Sequence, residues 1–392
     1  MRTEGDFIKI NEWLLPLSWL YGIGVRFRNM MFDIGILKSR RYDIPIISVG
    51  NITVGGSGKT PHVEYLISLL EKRAKVAVLS RGYKRKSCGY VLAKEDTAMR
   101  DIGDEPYQMK KKFGNIHIAV DKDRRHGIER LTSDRETKDT EVILLDDAYQ
   151  HRYVKAGISI LLVDYHRLII YDRLLPAGRL REPQSGKSRA DIVIVTKCPK
   201  DLKPMEYRVL QRAMGLYPYQ KLFFTSIEYC GLKALFGNRE MALSEIRKDT
   251  NILLLTGIAS PQQIVMDIKP YSKNIHPMTF ADHHQFTAED IKEINRRFNS
   301  LPQPRMIVTT EKDGARLEDA DGLEKETKDN IFVLPIRVRF MSDGEKTFNN
   351  KIISYVRKNT RNSTMAEREN DNSSADSHHP GHRSGTISFR NN

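Results

Sequence analysis

The chain has 392 residues, enough for two or three domains with their own cores, and its apolar and charged fractions are ordinary for a folded soluble protein. Lys and Arg number 64 against 50 Asp and Glu; the formal charge of +14 demands an acidic partner (nucleotide, nucleic acid, anionic lipid or phosphorylated substrate) without choosing among them. Three cysteines, Cys88, Cys198 and Cys230, lie far apart with no C-x-x-C pair, which fits buried inert thiols in a reducing compartment.

The first distinctive segment, residues 7–41, is rich in aromatics (Trp13, Trp19, Tyr21, Phe27, Phe32) and then in cations (Arg26, Arg28, Lys38, Arg40, Arg41). Its apolar stretch from 13 to 25 contains Pro16 and falls short of the roughly 20 residues that a spanning helix needs. No A-x-A-like cleavage site follows, which argues against a signal peptide. Two readings fit: a helix lying in a membrane interface with its cations on anionic head groups, or a helix packed on the domain surface.

IISVGNITVGGSGKT, residues 46–60, reads as a buried strand, a glycine-rich turn and a helix starting near Lys59. Such a loop turns successive N–H groups inward, and the helix adds its positive end, making a cradle for a polyphosphate. The cradle runs through Thr53, Val54, Gly55, Gly56, Ser57, Gly58, Lys59 and Thr60. Lys59 would reach the β/γ-phosphates and the Thr60 hydroxyl would ligate Mg²⁺. The strict G-x-x-x-x-G-K-[ST] pattern wants glycine at Thr53; Gly55, Gly56 and Gly58 supply the flexibility instead.

Downstream, residues 76–79 form a short buried strand with SRGYKR at its carboxyl end, where ligands gather in open α/β sheets; the same run also reads as a solvated loop. GDEP, residues 103–106, opens a helix whose acidic first turn complements the helix dipole. EVILLDDAYQHR, residues 141–152, ends four apolar residues in Asp146 and Asp147, the pattern of a metal-side strand, with Asp146 holding Mg²⁺ beside Thr60. Strands at 158–165 and 190–197 bracket LLPAGRLREP with Arg179 and Arg181, and close the sheet.

Beyond residue 220 the character changes. Two β-rich segments, 221–235 and 330–340, bracket a second α/β unit and are expected to pair as a linker. Thr287 caps a helix from 288 to 298. The chain folds back at 342–358, and 359–392 lacks apolar periodicity and reads as a disordered tail. The expected organisation is therefore 1–41, 42–220, 221–341, 342–358 and 359–392.

A phosphate loop with a metal-side aspartate occurs in kinases, GTPase switches and ATP-driven machines. A guanine reader wants [NT]-K-x-D after a late strand; VIVTKCPKD has Thr196 and Lys197, but Pro199 occupies the aspartate position. For a nucleic-acid binder the cations scatter, and no helix-turn-helix, zinc-finger or RNP-like pattern is present. A small-molecule or lipid kinase explains more of the chain; the alternative is a P-loop GTPase, ATPase switch or chaperone-type protein without a lipid acceptor.

VGNITVGGSGKTP (49–61), SRGYKR (80–85), GDEP (103–106), DDAYQHR (146–152), LLPAGRLREP (174–183), FADHHQF (280–286) and VTTEKDGARL (308–317), in this order, resemble one family. It is the tetraacyldisaccharide 4'-kinases, which phosphorylate the lipid A precursor in Gram-negative bacteria. The resemblance implies an α/β fold: a P-loop Rossmann-like lobe and a smaller α/β lobe joined by a two-stranded β linker, with an N-terminal amphipathic helix. It implies ATP and Mg²⁺, an acylated glucosamine disaccharide 1-phosphate as acceptor, and peripheral attachment to the anionic cytoplasmic face of the inner membrane. The protein is expected to act as a monomer, without nucleic acid. Asp104 matches the family's catalytic base and His283 its partner, with Lys59 on the phosphates. Thr60 and Asp146 match the metal positions, with Glu105 added by analogy as a second metal contact. Asn51, Arg81, Tyr83, Arg85, Asp147, Gln150, His151 and Arg181 fall on the acceptor side. The chain departs from the family at Ala148 and Tyr149 (usually Gly-Phe), at the doubled His283-His284 and at Arg179.

Overall fold

A computed structural model describes residues 8, 10–258, 261–282 and 284–375, those beyond 360 as backbone alone. A helix, α1 (Leu15–Asp33), precedes the first α/β unit. That unit comprises β1 (Ile46–Gly50), α2 (Lys59–Leu70), β2 (Val76–Ser80), β3 (Val91–Leu92), α3 (Met99–Ile102), α4 (Asp104–Lys112), β4 (His117–Val120), α5 (Arg124–Ser133), β5 (Val142–Asp146), β6 (Ile158–Asp164), β7 (Ile192–Thr196), α6 (Pro204–Met214) and β8 (Lys221–Tyr229). The second holds β9 (Leu232–Ala234), β10 (Glu240–Met241), β11 (Asn251–Thr256), α7 (Pro261–Ile268), β12 (Asn274–Thr279), α8 (Ala288–Ser300), β13 (Arg305–Thr310), α9 (Glu311–Glu318), α10 (Lys325–Asp329) and β14 (Ile331–Leu334). Finally, β15 (Ile336–Phe340) and α11 (Gly344–Ala375) return to the first.

The larger sheet has the order β15-β8-β7-β6-β1-β5-β2-β4-β3, parallel from β8 to β4 with an antiparallel strand at each edge. β1, β2, β5 and β7 are buried along their whole length, as helices on both faces require; hence their unbroken apolar runs. The smaller sheet has the order β10-β9-β14-β13-β11-β12. The two segments expected to link the lobes each break in two. β8 pairs antiparallel with β15 at the edge of the larger sheet, and β9 pairs antiparallel with β14 in the smaller one. The break falls at Cys230 and Pro335, where the Cys230 N–H donates to the Pro335 carbonyl at 2.8 Å. Pro335 has no N–H to offer a ladder, so the pairing changes sheets there.

In α1, Pro16 sits in the first turn, where its missing N–H costs nothing, so it starts the helix instead of interrupting it. Gly22 is buried against Leu174, where a side chain would collide. The outward side of α1 carries Trp19, 74% exposed, with Leu17, Leu20, Ile23 and Phe27, and Trp13 in the turn just before the helix is 93% exposed. No helix among the described residues is long and apolar enough to cross a membrane.

The last helix departs from the sequence expectation, running to Ala375 through the stretch from 359 that reads as tail. The apolar period ends near Val356, but no Gly or Pro occurs between 345 and 375 to break the hydrogen-bond ladder. Residues 376–392 lie outside the described ones. Phe348, Ile352 and Val356 bury this helix against the first core, with the Phe348 ring 4.6 Å from Phe340 and 5.4 Å from Phe223. Phe348→Ala is expected to cost about 3 kcal/mol, read as a lower urea midpoint, whereas removal of the residues after 375 should leave that midpoint in place.

Candidate functional site

The site lies at the carboxyl ends of the parallel strands. β1 lies between β5 and β6, with Val49 level with Asp146 and Gly50 with Leu161. The loop leaving β1 therefore emerges beside the carboxylate that ends β5. Gly55 and Gly58 have φ of 116° and 81°, values that side chains rarely adopt, and Gly58 is the N-cap of α2. Asn51, fully buried, donates from Nδ2 to Ser57 Oγ at 2.7 Å and pulls the loop closed. The segment after Asp172 runs alongside: Val54 N–H donates to Arg179 O at 2.8 Å and Arg181 N–H to Ile52 O at 2.7 Å. Arg179 and Arg181 are thereby laid against the loop.

Asp146 is fully buried and its Oδ2 accepts from Ser80 Oγ at 2.9 Å. Its Oδ1 is buried and has no hydrogen-bond partner among the described residues, a costly arrangement that suits a carboxylate meant to receive a cation. Burial, with Glu105 and Asp147 nearby, pushes its pKa up to about 7. Among the described residues no three His, Cys, Asp or Glu gather into a protein-only metal cage. That donor set fits Mg²⁺, which takes one or two carboxylates and completes its shell with phosphate and water. Asp147 stands at φ 46°, facing Lys59 Nζ at 3.5 Å and Arg181 Nη1 at 3.6 Å. Burial pushes its carboxyl up, but Lys59, Arg181 and Arg124 outweigh this and hold it below the usual range. The left-handed conformation falls on Asp147 and not on Ala148, so alanine fits where the family has glycine. Tyr149 stays buried, donating to Gly186 O at 2.7 Å.

Other expected residues divide. Gln150 donates from Nε2 to the Asn51 carbonyl and joins the loop. His151 is 4.0 Å from Asp123 and has its pKa lowered to about 4 by burial and by Arg124, so its ring is neutral. Arg81 and Tyr83 are exposed at the end of β2. Arg85 turns away: it donates to Gly89 O at 2.5 Å, Ser87 Oγ at 3.1 Å and Val120 O at 3.4 Å, and so shapes its own loop.

Asp104 begins α4 and is met from the second lobe by Arg316 of α9, whose Nε donates to its Oδ2 at 3.1 Å and whose Nη2 also reaches it. Arg316 also donates to Asp313 Oδ1 at 2.9 Å; the other Asp313 oxygen accepts from Gly257 N–H and Thr310 Oγ1, both at 2.8 Å. Lys112 to Glu311 (3.1 Å) and Lys111 to Glu318 (2.8 Å) add ion pairs between the same two helices. His283 lies outside the described residues. Its neighbour His284 is engaged within its own lobe, with Nε2 2.8 Å from Asp290 Oδ2 and its ring stacked 5.0 Å from Phe280.

Two residues escaped the sequence reading. Arg124, almost wholly buried, donates to the carbonyls of Asp146 (3.1 Å) and Asp121 (2.8 Å), and burial lowers its pKa to about 10, leaving it charged. It reads in sequence as one more cation on a basic helix. Arg316 reads in sequence as one residue of VTTEKDGARL; its partner is 212 positions away, and no local pattern reports that.

A family model described as Tetraacyldisaccharide-1-P 4'-kinase matches residues 10–357. The chain is 60% identical over 365 residues to the tetraacyldisaccharide 4'-kinase of Phocaeicola vulgatus, covering 93% of this chain and 100% of that one. Against the protein of that name from Bacteroides fragilis it is 52% identical over 371 residues, covering 93% and 98%. Among solved structures, the "apo" form of LpxK from Aquifex aeolicus in complex with ATP superposes with a TM-score of 0.68 at 30% identity, over 88% of this chain and 98% of that one.

Two outcomes are expected from this geometry. Arg316→Ala strands the buried Asp313 carboxylate and should cost about 3–5 kcal/mol; Arg316→Ala with Asp313→Asn should recover part of it in urea titrations. His62 on α2 is buried, which lowers its pKa from 6.5 to about 4. The unfolded chain then binds the extra proton first, so this contribution is fully present above pH 6.5 and is lost as pH falls toward 4. Replacing the ring by His62→Gln should remove a pH-dependent loss on the order of 3 kcal/mol from urea midpoints measured across that window.

Proposed function

The chain belongs to the tetraacyldisaccharide 4'-kinase family and is a lipid A 4'-kinase, and from that premise we propose that its strand-end cluster carries the γ-phosphate of ATP to the 4'-hydroxyl of an acylated glucosamine disaccharide 1-phosphate. The observation that carries this reading is the unpartnered, buried Asp146 oxygen on the strand next to the GSGKT loop.

The backbone N–H groups of the loop and Lys59 hold the phosphates, and Lys59 exchanges its 3.5 Å contact with Asp147 for the β/γ-oxygens. Mg²⁺, held by Asp146 and the Thr60 hydroxyl with Glu105 as a further contact, supplies charge neutralisation at the transferred phosphoryl group. Asp147, braced between Lys59 and Arg181, orients both cations. Asp104 takes the proton of the attacking hydroxyl, and His283 raises its basicity or fixes its orientation. Arg316 holds the same carboxylate from the second lobe, so the base is oriented by contacts across the two lobes. Asn51, Gln150, His151, Arg81 and Tyr83 line the acceptor side, with Arg85 maintaining the loop that carries Arg81 and Tyr83.

The apolar side of α1, exposed from Leu17 to Phe27, lies with Trp13 of the preceding turn in the interface of the inner membrane on its cytoplasmic face, with the following cations on anionic head groups. That helix touches the acceptor loops directly: Tyr21 donates to Arg181 O at 2.9 Å and Arg28 to Gln150 O at 3.2 Å. The lipid surface and the reacting centre are thus joined through one helix.

The deciding experiment follows phosphate transfer from labelled ATP to a tetraacylated disaccharide 1-phosphate in mixed micelles. Wild type should form the 4'-phosphate; Asp104→Ala should lower turnover by roughly 10²–10⁴-fold with ATP binding retained. ATP hydrolysis without lipid product would sink the acceptor assignment, and loss of ATP binding in Asp104→Ala would make that residue a metal ligand. A variant lacking residues 1–38 should no longer sediment with anionic vesicles; continued sedimentation would count against α1 as the membrane contact.

A further inference from the structure

The Thr196-Lys197 pair resembles a base-reading motif without its aspartate, and in the folded chain both side chains reach the phosphate loop. Lys197 Nζ donates to the Gly56 carbonyl and pairs with Asp164 Oδ2 at 2.7 Å. Thr196, wholly buried at the end of β7, donates from Oγ1 to the Ser57 carbonyl at 3.0 Å. His62 Nδ1 lies 2.7 Å from the Gly58 carbonyl, and its Nε2 lies 3.0 Å from Thr225 Oγ1 on β8. A carbonyl only accepts, so Nδ1 carries the proton and the Thr225 hydroxyl donates to Nε2. Three consecutive carbonyls of the loop, Gly56, Ser57 and Gly58, are therefore each engaged by a side chain from outside it.

In a trans peptide the N–H and C=O lie in one plane and point in opposite directions across the C–N bond. Drawing the Ser57 and Gly58 carbonyls toward β7 and α2 turns the N–H groups of Gly58 and Lys59 the other way. Drawing the Gly56 carbonyl aside fixes the tight turn in which Ser57 N–H closes on Gly55 O at 3.1 Å. Lys197 itself stands at φ 57°, a conformation that a β-strand end does not require and that L side chains rarely adopt. It is held there by its two contacts, one to Asp164 at the end of β6 and one to the loop.

We propose that Thr196 and Lys197 are positioning residues that clamp the loop carbonyls and so preset its N–H groups for the phosphates of the nucleotide, without reading the base. The inference rests on residues 46–60 being the nucleotide site. Its chemistry is limited to phosphate: the clamp acts on any polyphosphate that enters the cradle, whatever base is attached.

The test measures dissociation constants of ATP, GTP and inorganic tripolyphosphate for the full chain by calorimetry. Lys197→Met is expected to weaken ATP and tripolyphosphate equally, by about tenfold as for one charge-assisted hydrogen bond, leaving the ATP-to-GTP ratio unchanged. Lys197→Arg should restore part of the loss. Thr196→Val, nearly isosteric, should weaken both ligands in the same proportion and carries the test alone if Lys197→Met does not fold. A changed ATP-to-GTP ratio with tripolyphosphate unaffected would make Lys197 a base contact and overturn the clamp; unchanged affinities for all three would overturn it as well. Lys59→Ala, measured alongside, separates the premises: full ATP affinity there refutes the nucleotide site itself, whereas loss there with none in Lys197→Met or Thr196→Val refutes only the clamp.

Discussion

The parallel pairing of β1 between β5 and β6 is the constraint on which the rest depends. Because Val49 is level with Asp146, the phosphate loop and the buried carboxylate leave the sheet side by side. Both faces of these strands are buried and apolar, so the register rests on close packing of the side chains and on the ladders β1 makes with its two parallel neighbours. The same arrangement brings Ser80 from β2 and Thr196 from β7 to the edge of the site. Chemistry in this molecule is a consequence of strand order.

Charge is arranged around that order with little slack. Asp146 and Asp147 are neighbours in sequence yet are driven in opposite directions. Burial and acidic neighbours raise Asp146, while three cations bring Asp147 down. The difference lies in what each faces: Asp147, turned by its positive φ, meets Lys59 and Arg181, whereas Asp146 presents an oxygen that has no protein donor. One carboxylate is thus engaged with two cations, and the other keeps a buried oxygen with no donor among the described residues.

Around this centre three elements from distant parts of the chain converge. α9 reaches Asp104 with Arg316, α1 braces the loops of Arg181 and Gln150 through Tyr21 and Arg28, and α11 packs its phenylalanine onto β8 and β15, where the chain crosses between sheets. Except for the neighbouring Phe340–Phe348 pair, each contact joins segments more than a hundred positions apart.

The sequence by itself determined the α/β class, the glycine-rich loop between β1 and α2, the aspartate that ends β5 and the family, because these rest on local features: apolar runs of strand length, glycines where φ is positive, and motifs in a set order. It also marked the aromatic helix before residue 41. Tertiary structure alone decided that Pro16 begins that helix, that the linker strands each divide between two sheets at Pro335, and that the last helix runs on to Ala375. It decided, too, that Arg85 serves its own loop, that Arg124 underlies Asp146 and that Arg316 grips Asp104. A cation's role is set by which carboxylate or carbonyl the fold brings within hydrogen-bond reach, and spacing along the chain carries no record of that partner. Composition can announce a surplus of positive charge; only the packed chain assigns each charge its work.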